Sequence, residues 1–196
     1  MNTYTISRVE TPDWEKIPAL SLQETGWLAP SGISAKAQLC HNGKTLFVRM
    51  EAEEKDIRAT LTNPMDQVCD DSCLEFFFAP GENEPRYFNF EMNPLGNFFM
   101  GIGLGRLDRV RLVPLDPSPF QIQTYYKEGG WGVTYQIPLA FIRLYSPDFS
   151  FTGKAACNFY KCGDQTVVPH YLSWNKMTSA QPDYHRRSDF GQLIFE

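Results

Sequence analysis

No stretch of the 196 residues approaches the roughly 18 consecutive apolar residues of a membrane-spanning helix. Basic residues are outnumbered, 18 Lys and Arg against 23 Asp and Glu, for a net charge of −5. A surface of that sign repels phosphate, which argues against nucleic acid or an anionic membrane as a partner. The opening MNTYTISRVETPDWEK has no basic region followed by an apolar run, so no signal peptide is visible. The expectation is a cytoplasmic chain, or a secreted one if a leader was removed. Only three histidines occur (His41, His170 and His185), in no metal-binding spacing, and there is no G-x-S-x-G nucleophile elbow. The five cysteines are an odd number and cannot all pair. Cys157 and Cys162 fall on opposite faces of a strand, and Cys69 and Cys73 lack a second pair at zinc-finger spacing. The expectation is buried reduced thiols and no metal ligands among them.

What is abundant is aromatic and turn-forming: 15 Phe, 9 Tyr, 4 Trp, 14 Gly and 14 Pro. This mixture favours short strands joined by many turns. The hydrophobic period is two almost throughout. TLFVRMEAE (45–53) alternates, with Leu46, Val48 and Met50 on one face. Further strands are predicted at 72–80, 86–94, 97–105, 120–127, 131–138, 154–161 and 190–195. Turn signals between them include Pro80-Gly81, Asn93-Pro94 and Gly129-Gly130. Helical turns are confined to about 13–19 and 139–144. With no repeat and no linker, the prediction is one all-β domain over 1–196, an antiparallel β-sandwich of jelly-roll type.

Two places carry chemistry. In the hairpin of 72–79 and 86–93, Leu74, Phe76, Phe78, Phe88, Phe90 and Met92 share an apolar face. Glu75, Tyr87, Asn89, Glu91 and Asn93 share the other, with Glu75 opposite Glu91 or Asn89. Directed donors and acceptors beside a flat ring suit a hydroxyl-rich ligand, although the same pattern also describes a solvated outer face. The second place is Gly101, Gly103 and Gly105. Spaced GxGxG with no helix to follow, they form no phosphate loop; in a strand they leave one face bare, for a neighbouring aromatic ring first and a ligand second.

Longer motifs add a resemblance. QVCDDSCLEFFFAP, FNFEMNPLGN, WGVTYQIPLAFI, NFYKCGD, LSWNKM and PDYHRRSDFGQLIFE run in order over about 44–196. They resemble the W-x-D-D-S-V-E-I-F, Y-x-F-x-x-N-P-x-G, W-x-x-E-x-x-I-P, N-F-Y-R, S-W and closing F-G-x-L-x-F segments of the family 9 carbohydrate-binding modules. The resemblance implies a non-catalytic β-sandwich, often attached to glycoside hydrolases in carbohydrate breakdown, that holds a terminal sugar ring between two Trp. It implies Trp174 as the stacking platform, Glu75 and Asn93 as hydrogen-bonding groups, and Glu91 and Asn158 as further polar contacts. The family's second Trp falls near Cys69 here, a basic residue is replaced by Glu91, and Thr134 stands where a Glu is usual. No cofactor is expected beyond the structural calcium that members of the family hold. Asp56, Asp70 and Asp71 offer hard oxygen atoms for it, without ligands being assigned.

Rival readings follow from the same residues. Glu75 and Glu91 could act as the carboxylate pair of a glycoside hydrolase. The sandwich could also be a protein-interaction or structural unit with a decayed sugar site. A haem domain would need Met92 or Met100 with His170 as axial ligands.

Overall fold

The computed structural model describes residues 1–28, 32–64 and 66–196. Its strands are β1 (Thr3–Arg8), β2 (Leu20–Ser21), β3 (Ser34–His41), β4 (Thr45–Glu53), β5 (Cys73–Ala79), β6 (Tyr87–Met92) and β7 (Phe98–Gly103). There follow β8 (Arg109–Arg111), β9 (Gln123–Lys127), β10 (Gly130–Pro138), β11 (Gly153–Cys162), β12 (Tyr171–Ser173) and β13 (Gly191–Phe195). The one α-helix among the described residues, α1 (Leu139–Arg143), coincides with a predicted helical turn.

Two sheets form, in the orders β8-β7-β6-β5-β11-β13-β1 and β1-β3-β4-β10-β9, so β1 belongs to both. Thr3 to Ile6 pair with β13, and Ser7 and Arg8 pair with β3. Both of these pairings are parallel, a departure confined to β1 in the antiparallel β-sandwich that the sequence predicts. A strand that crosses between two sheets must match the direction each presents, and here that direction is its own. Elsewhere the pairing is antiparallel, and the β5–β6 register sets Glu75 directly opposite Glu91.

Alternation along β5, β6 and β11 divides the side chains into two layers. Leu74, Phe76, Phe78, Phe88, Phe90 and Phe159 meet the second sheet in the central core. The rings interlock there; Phe76 lies 4.7 Å from Phe159 and 5.7 Å from Phe78, both stacked, each contact adding about 0.5–1.5 kcal/mol beyond area burial. The reverse face of β5 and β6 is not a solvated surface. Phe77, Tyr87 and Tyr160 on it pack under Met177, Tyr184 and Phe190 of the segment between β12 and β13. Every residue of β5 and β6 is therefore buried.

A polar tie joins the two sheets. Glu54, just after β4, accepts hydrogen bonds from Ser72 Oγ (2.8 Å) and Trp131 Nε1 (3.2 Å) and forms an ion pair with Lys161 Nζ at 3.1 Å. Lys161 also donates to His170 Nε2 at 2.6 Å and to the Cys162 carbonyl. Met92 and Met100 belong to the central core, whereas His170 belongs to this polar cluster, so the axial pair of a haem site is not assembled.

The glycines of β7 also have a different partner from the one expected. A Cβ at Gly101 would meet Asn89 Oδ1 at 2.7 Å, and one at Gly103 would run into the backbone of Asp108 and Arg109. The nearest neighbours at these two positions are not aromatic rings. The glycines let β8 fold back tightly, and this brings Arg109 over the β6 face.

Candidate functional site

On the reverse face of the first sheet, the covering segments leave a pocket of about 220 Å³. Its floor is made by Glu75 of β5, Glu91 of β6 and Cys162 of β11. Trp27, Tyr171 and Tyr184 form an aromatic wall, while Arg106, Arg109, Asp164, Asp183 and His185 stand around the rim with Gln67 and Cys69.

The wall is built from three separate segments. Trp27 donates its indole N–H to the Ser179 carbonyl at 2.8 Å. Its ring lies 5.7 Å from Tyr171, edge-on, and 5.5 Å from Tyr184. Tyr184 stacks on Tyr160 at 3.9 Å and donates to the carbonyl of Lys161 or Leu172. Tyr184 is buried, while Trp27 and Tyr171 are half-exposed, so these two rings present surface to a ligand.

The polar groups are fixed as firmly. Asn89 donates to Glu91 Oε1 at 2.7 Å, and the Arg109 guanidinium lies 3.5 Å from the same carboxylate. Arg109 donates to His185 Nε2 at 2.7 Å, and His185 Nδ1 donates to the Tyr87 hydroxyl at 2.9 Å. Burial, with the charges of Arg109 and Arg106 added, pushes the His185 pKa down to about 2. The ring is therefore a neutral acceptor for Arg109 at any working pH. Arg106 pairs with Asp183 at 3.2 Å. Glu75 accepts from Cys162 Sγ at 2.8 Å; burial, and then the charge of Glu91, holds its carboxyl well above the usual carboxylate range. Burial also raises Glu91, against the pull of Arg109. The floor thus offers one carboxyl inclined to donate and one inclined to accept.

Of the residues that the sequence points to, Glu75 and Glu91 line this pocket; Trp174, Asn93 and Asn158 do not. Trp174 is only 6% exposed and points into the central core, edge-on to Phe159 at 5.9 Å. Its ring is seated against Gly191, where a Cβ would come within 2.7 Å of it, so a glycine at 191 is what admits the indole. Asn158 spends its amide on Asn175 and Asp189 carbonyls and its oxygen on the Phe159 and Asn175 amides, pinning the covering segment to β11. Asn93 is likewise saturated: it donates to the Leu61 carbonyl and Asp71, and accepts from the amides of Leu95 and Asn97.

Of the aspartates considered for calcium, Asp71 is already engaged within the protein. The Asp71 carboxylate already accepts from the Thr60 and Leu61 amides, Thr60 Oγ1 and Asn93, with Arg58 at 3.3 Å. A carboxylate ringed by donors has no lone pairs left for a hard cation. Asp56 lies in another hollow, with Glu54 and Lys55.

The fold recurs in known proteins. A crystal structure of a Bacteroides uniformis protein of inferred carbohydrate-binding character superposes with a TM-score of 0.88 at 25% identity, covering 99% of each chain. A family 9 carbohydrate-binding module from Caldicellulosiruptor kristjanssonii in complex with glucose gives 0.70 at 14% identity, over 100% of this chain and 96% of that one. A family 9 carbohydrate-binding module from the same organism in complex with cellotriose gives 0.69 at 13%, over 98% and 93%. A protein of Arthroderma benhamiae described as extracellular is 26% identical over 177 residues, 81% of this chain and 77% of that protein. The sequence model of carbohydrate-binding family 9 matches residues 10–195. The chain belongs to carbohydrate-binding family 9.

Proposed function

We propose that the protein binds one terminal sugar ring, without cleaving it, in the pocket between Trp27 and Tyr171 on one side and Glu75, Glu91 and Arg109 on the other. The observation that carries this reading is the juxtaposition of a half-exposed aromatic wall with a buried floor of planar, charge-bearing hydrogen-bonding groups. A pyranose needs both: a flat C–H face to stack on a ring, and hydroxyls that pair with directed donors and acceptors. About 220 Å³ lies below the ~300–1,000 Å³ of sites for drug-sized ligands, which suits a chain end held by one ring. The saccharide complexes of family 9 modules from Caldicellulosiruptor kristjanssonii support the same ligand class.

Two features favour binding over hydrolysis or a decayed site. Glu75 and Glu91 are direct cross-strand neighbours on one face of one sheet, so both approach a ligand from the same side rather than flanking a scissile bond. The aromatic surface that this chain lacks at Cys69 is supplied from elsewhere by Trp27, and the pocket is open rather than filled by the protein's own side chains.

Titration calorimetry with glucose, xylose, cellobiose and cellotriose tests this. One of them should bind at one site per chain. Trp27→Ala and Tyr171→Ala should each weaken it about tenfold, the equivalent of a lost stack worth about 1.4 kcal/mol. Trp174→Phe, which keeps the core filled, should leave affinity unchanged. Binding that ignores Trp27→Ala but is lost with Trp174→Phe would overturn the site; no binding of any saccharide would overturn the function.

A further inference from the structure

Beneath the pocket, the fold brings Cys162 against two metal-ligating side chains of β5, the nearer of them 87 positions away in sequence. Cys73 and Cys162 are directly opposite on β5 and β11. Glu75, two residues along β5, projects from the same face as Cys73. Taking one ligand atom from each of Cys73, Glu75 and Cys162, all three lie within 4.8 Å of one another and all three residues are buried. The two sulfurs and one oxygen come from two hydrogen-bonded strands, so the backbone fixes their separation before any ion arrives. Glu75 and Cys162 also face the pocket, which provides a route in for an ion and room for a fourth ligand.

We infer that Cys73, Cys162 and Glu75 form a binding site for a thiophilic divalent cation, Zn²⁺ in the first instance, with the fourth coordination position open to the pocket. The ligand chemistry selects the ion: two sulfurs with one carboxylate suit tetrahedral Zn²⁺, whereas calcium and magnesium require an all-oxygen shell. Loading breaks the Cys162 Sγ–H···Glu75 hydrogen bond; the two thiol protons and the Glu75 carboxyl proton leave to solvent as two thiolates and one carboxylate close on the metal. The site stands on these three residues alone and does not depend on the sugar reading.

Reduced wild-type protein dialysed against ZnCl₂ and measured by X-ray absorption tests it without any substitution. The expected result is one Zn²⁺ per chain with two sulfur neighbours at about 2.3 Å and lighter atoms at about 2.0–2.2 Å. With Cd²⁺ as probe, a sulfur-to-metal charge-transfer band should appear in the ultraviolet. Cys73→Ser and Cys162→Ser should each lower Zn²⁺ affinity by roughly a hundredfold while keeping the wild-type circular dichroism spectrum. A shell of oxygen and nitrogen only, or an affinity that Cys73→Ser leaves unchanged in folded protein, would overturn the site.

Discussion

Replacing Glu54 with Ala should lower stability by about 3–5 kcal/mol, the cost of leaving a buried ion without its partner. Lys161 has no exposed surface and Glu54 has 2%. Removing the carboxylate strands the ammonium between the sheets and leaves the Ser72 hydroxyl and the Trp131 indole N–H without their acceptor. For a domain whose total stability is about 5–15 kcal/mol, this is a large share. At about 2–4 °C per kcal/mol for a chain of this size, the melting temperature should fall by about 6–20 °C. The pair Glu54→Leu with Lys161→Met should recover most of the loss, because no charge then remains in the interior. Urea unfolding of the three proteins checks this. A loss under about 1 kcal/mol for Glu54→Ala would mean that the carboxylate reaches water.

The tie at Glu54 shows where reading from sequence ran short. Alternation and turn residues made the β5–β6 hairpin legible to the phase of its pairing, because a strand with one apolar face can pair in only one phase; the choice of Glu91 over Asn89 opposite Glu75 came from the structure. Alternation and the family motifs also placed β4, β7, β9, β10, β11 and β13 in order. Three things were not legible. β1 and β3 were passed over: Tyr4 and Ile6 are the only large apolar side chains in β1, and β3 alternates small residues such as Ala35 and Ala37. The burial of the Glu75 and Glu91 face depends on the segment between β12 and β13, which has no period of its own. The meeting of Glu54, Lys161 and His170 is purely tertiary, and the sequence separates its members by up to 116 positions (170 − 54).

For the candidate site, a motif preserved the position of Trp174 but not the direction of its ring. Direction depends on what stands behind the residue, and here the open space at Gly191 lets the indole turn into the core. The ring that faces the pocket is Trp27, in a loop between β2 and β3. Its indole bond to Ser179, its ring contact with Tyr171 and the bridge between Glu24 and Ser173 hold it beside β12, and no local pattern announces these contacts. Arg109 was similarly hidden. Its place follows from the tight β7–β8 return at Gly103, so the bare glycine face serves the site through an arginine rather than through a ligand against the backbone.

Stability should fall as the pH drops below about 6.5, with His170 as a principal cause. Burial, and then the Lys161 ammonium 2.6 Å from Nε2, pushes the His170 pKa down from 6.5 to about 4, against the pull of Glu54. The ring is placed to be neutral: Nδ1 donates to the Val168 carbonyl at 2.7 Å and Nε2 accepts from Lys161, so a second proton would have to sit against an ammonium. Between pH 6.5 and about 4 the unfolded chain therefore binds a proton that the folded chain refuses, and unfolding is favoured as acid is added. Above pH 6.5 the contribution is complete; below about 4 it is gone. At about 1.4 kcal/mol per pH unit across that window, neutral His170 accounts for on the order of 3 kcal/mol. Other groups titrate in the same range: Glu75 and Glu91, whose raised values act in the opposite sense, and His185, whose lowered value acts in the same one. They are shared by His170→Gln, so the difference between its pH profile and that of the wild type isolates the one ring. Urea unfolding at pH 7 and pH 4.5 should show the wild type losing more than the variant. Parallel profiles would mean that His170 takes up its proton in the folded state, with Lys161 moved out of hydrogen-bonding reach.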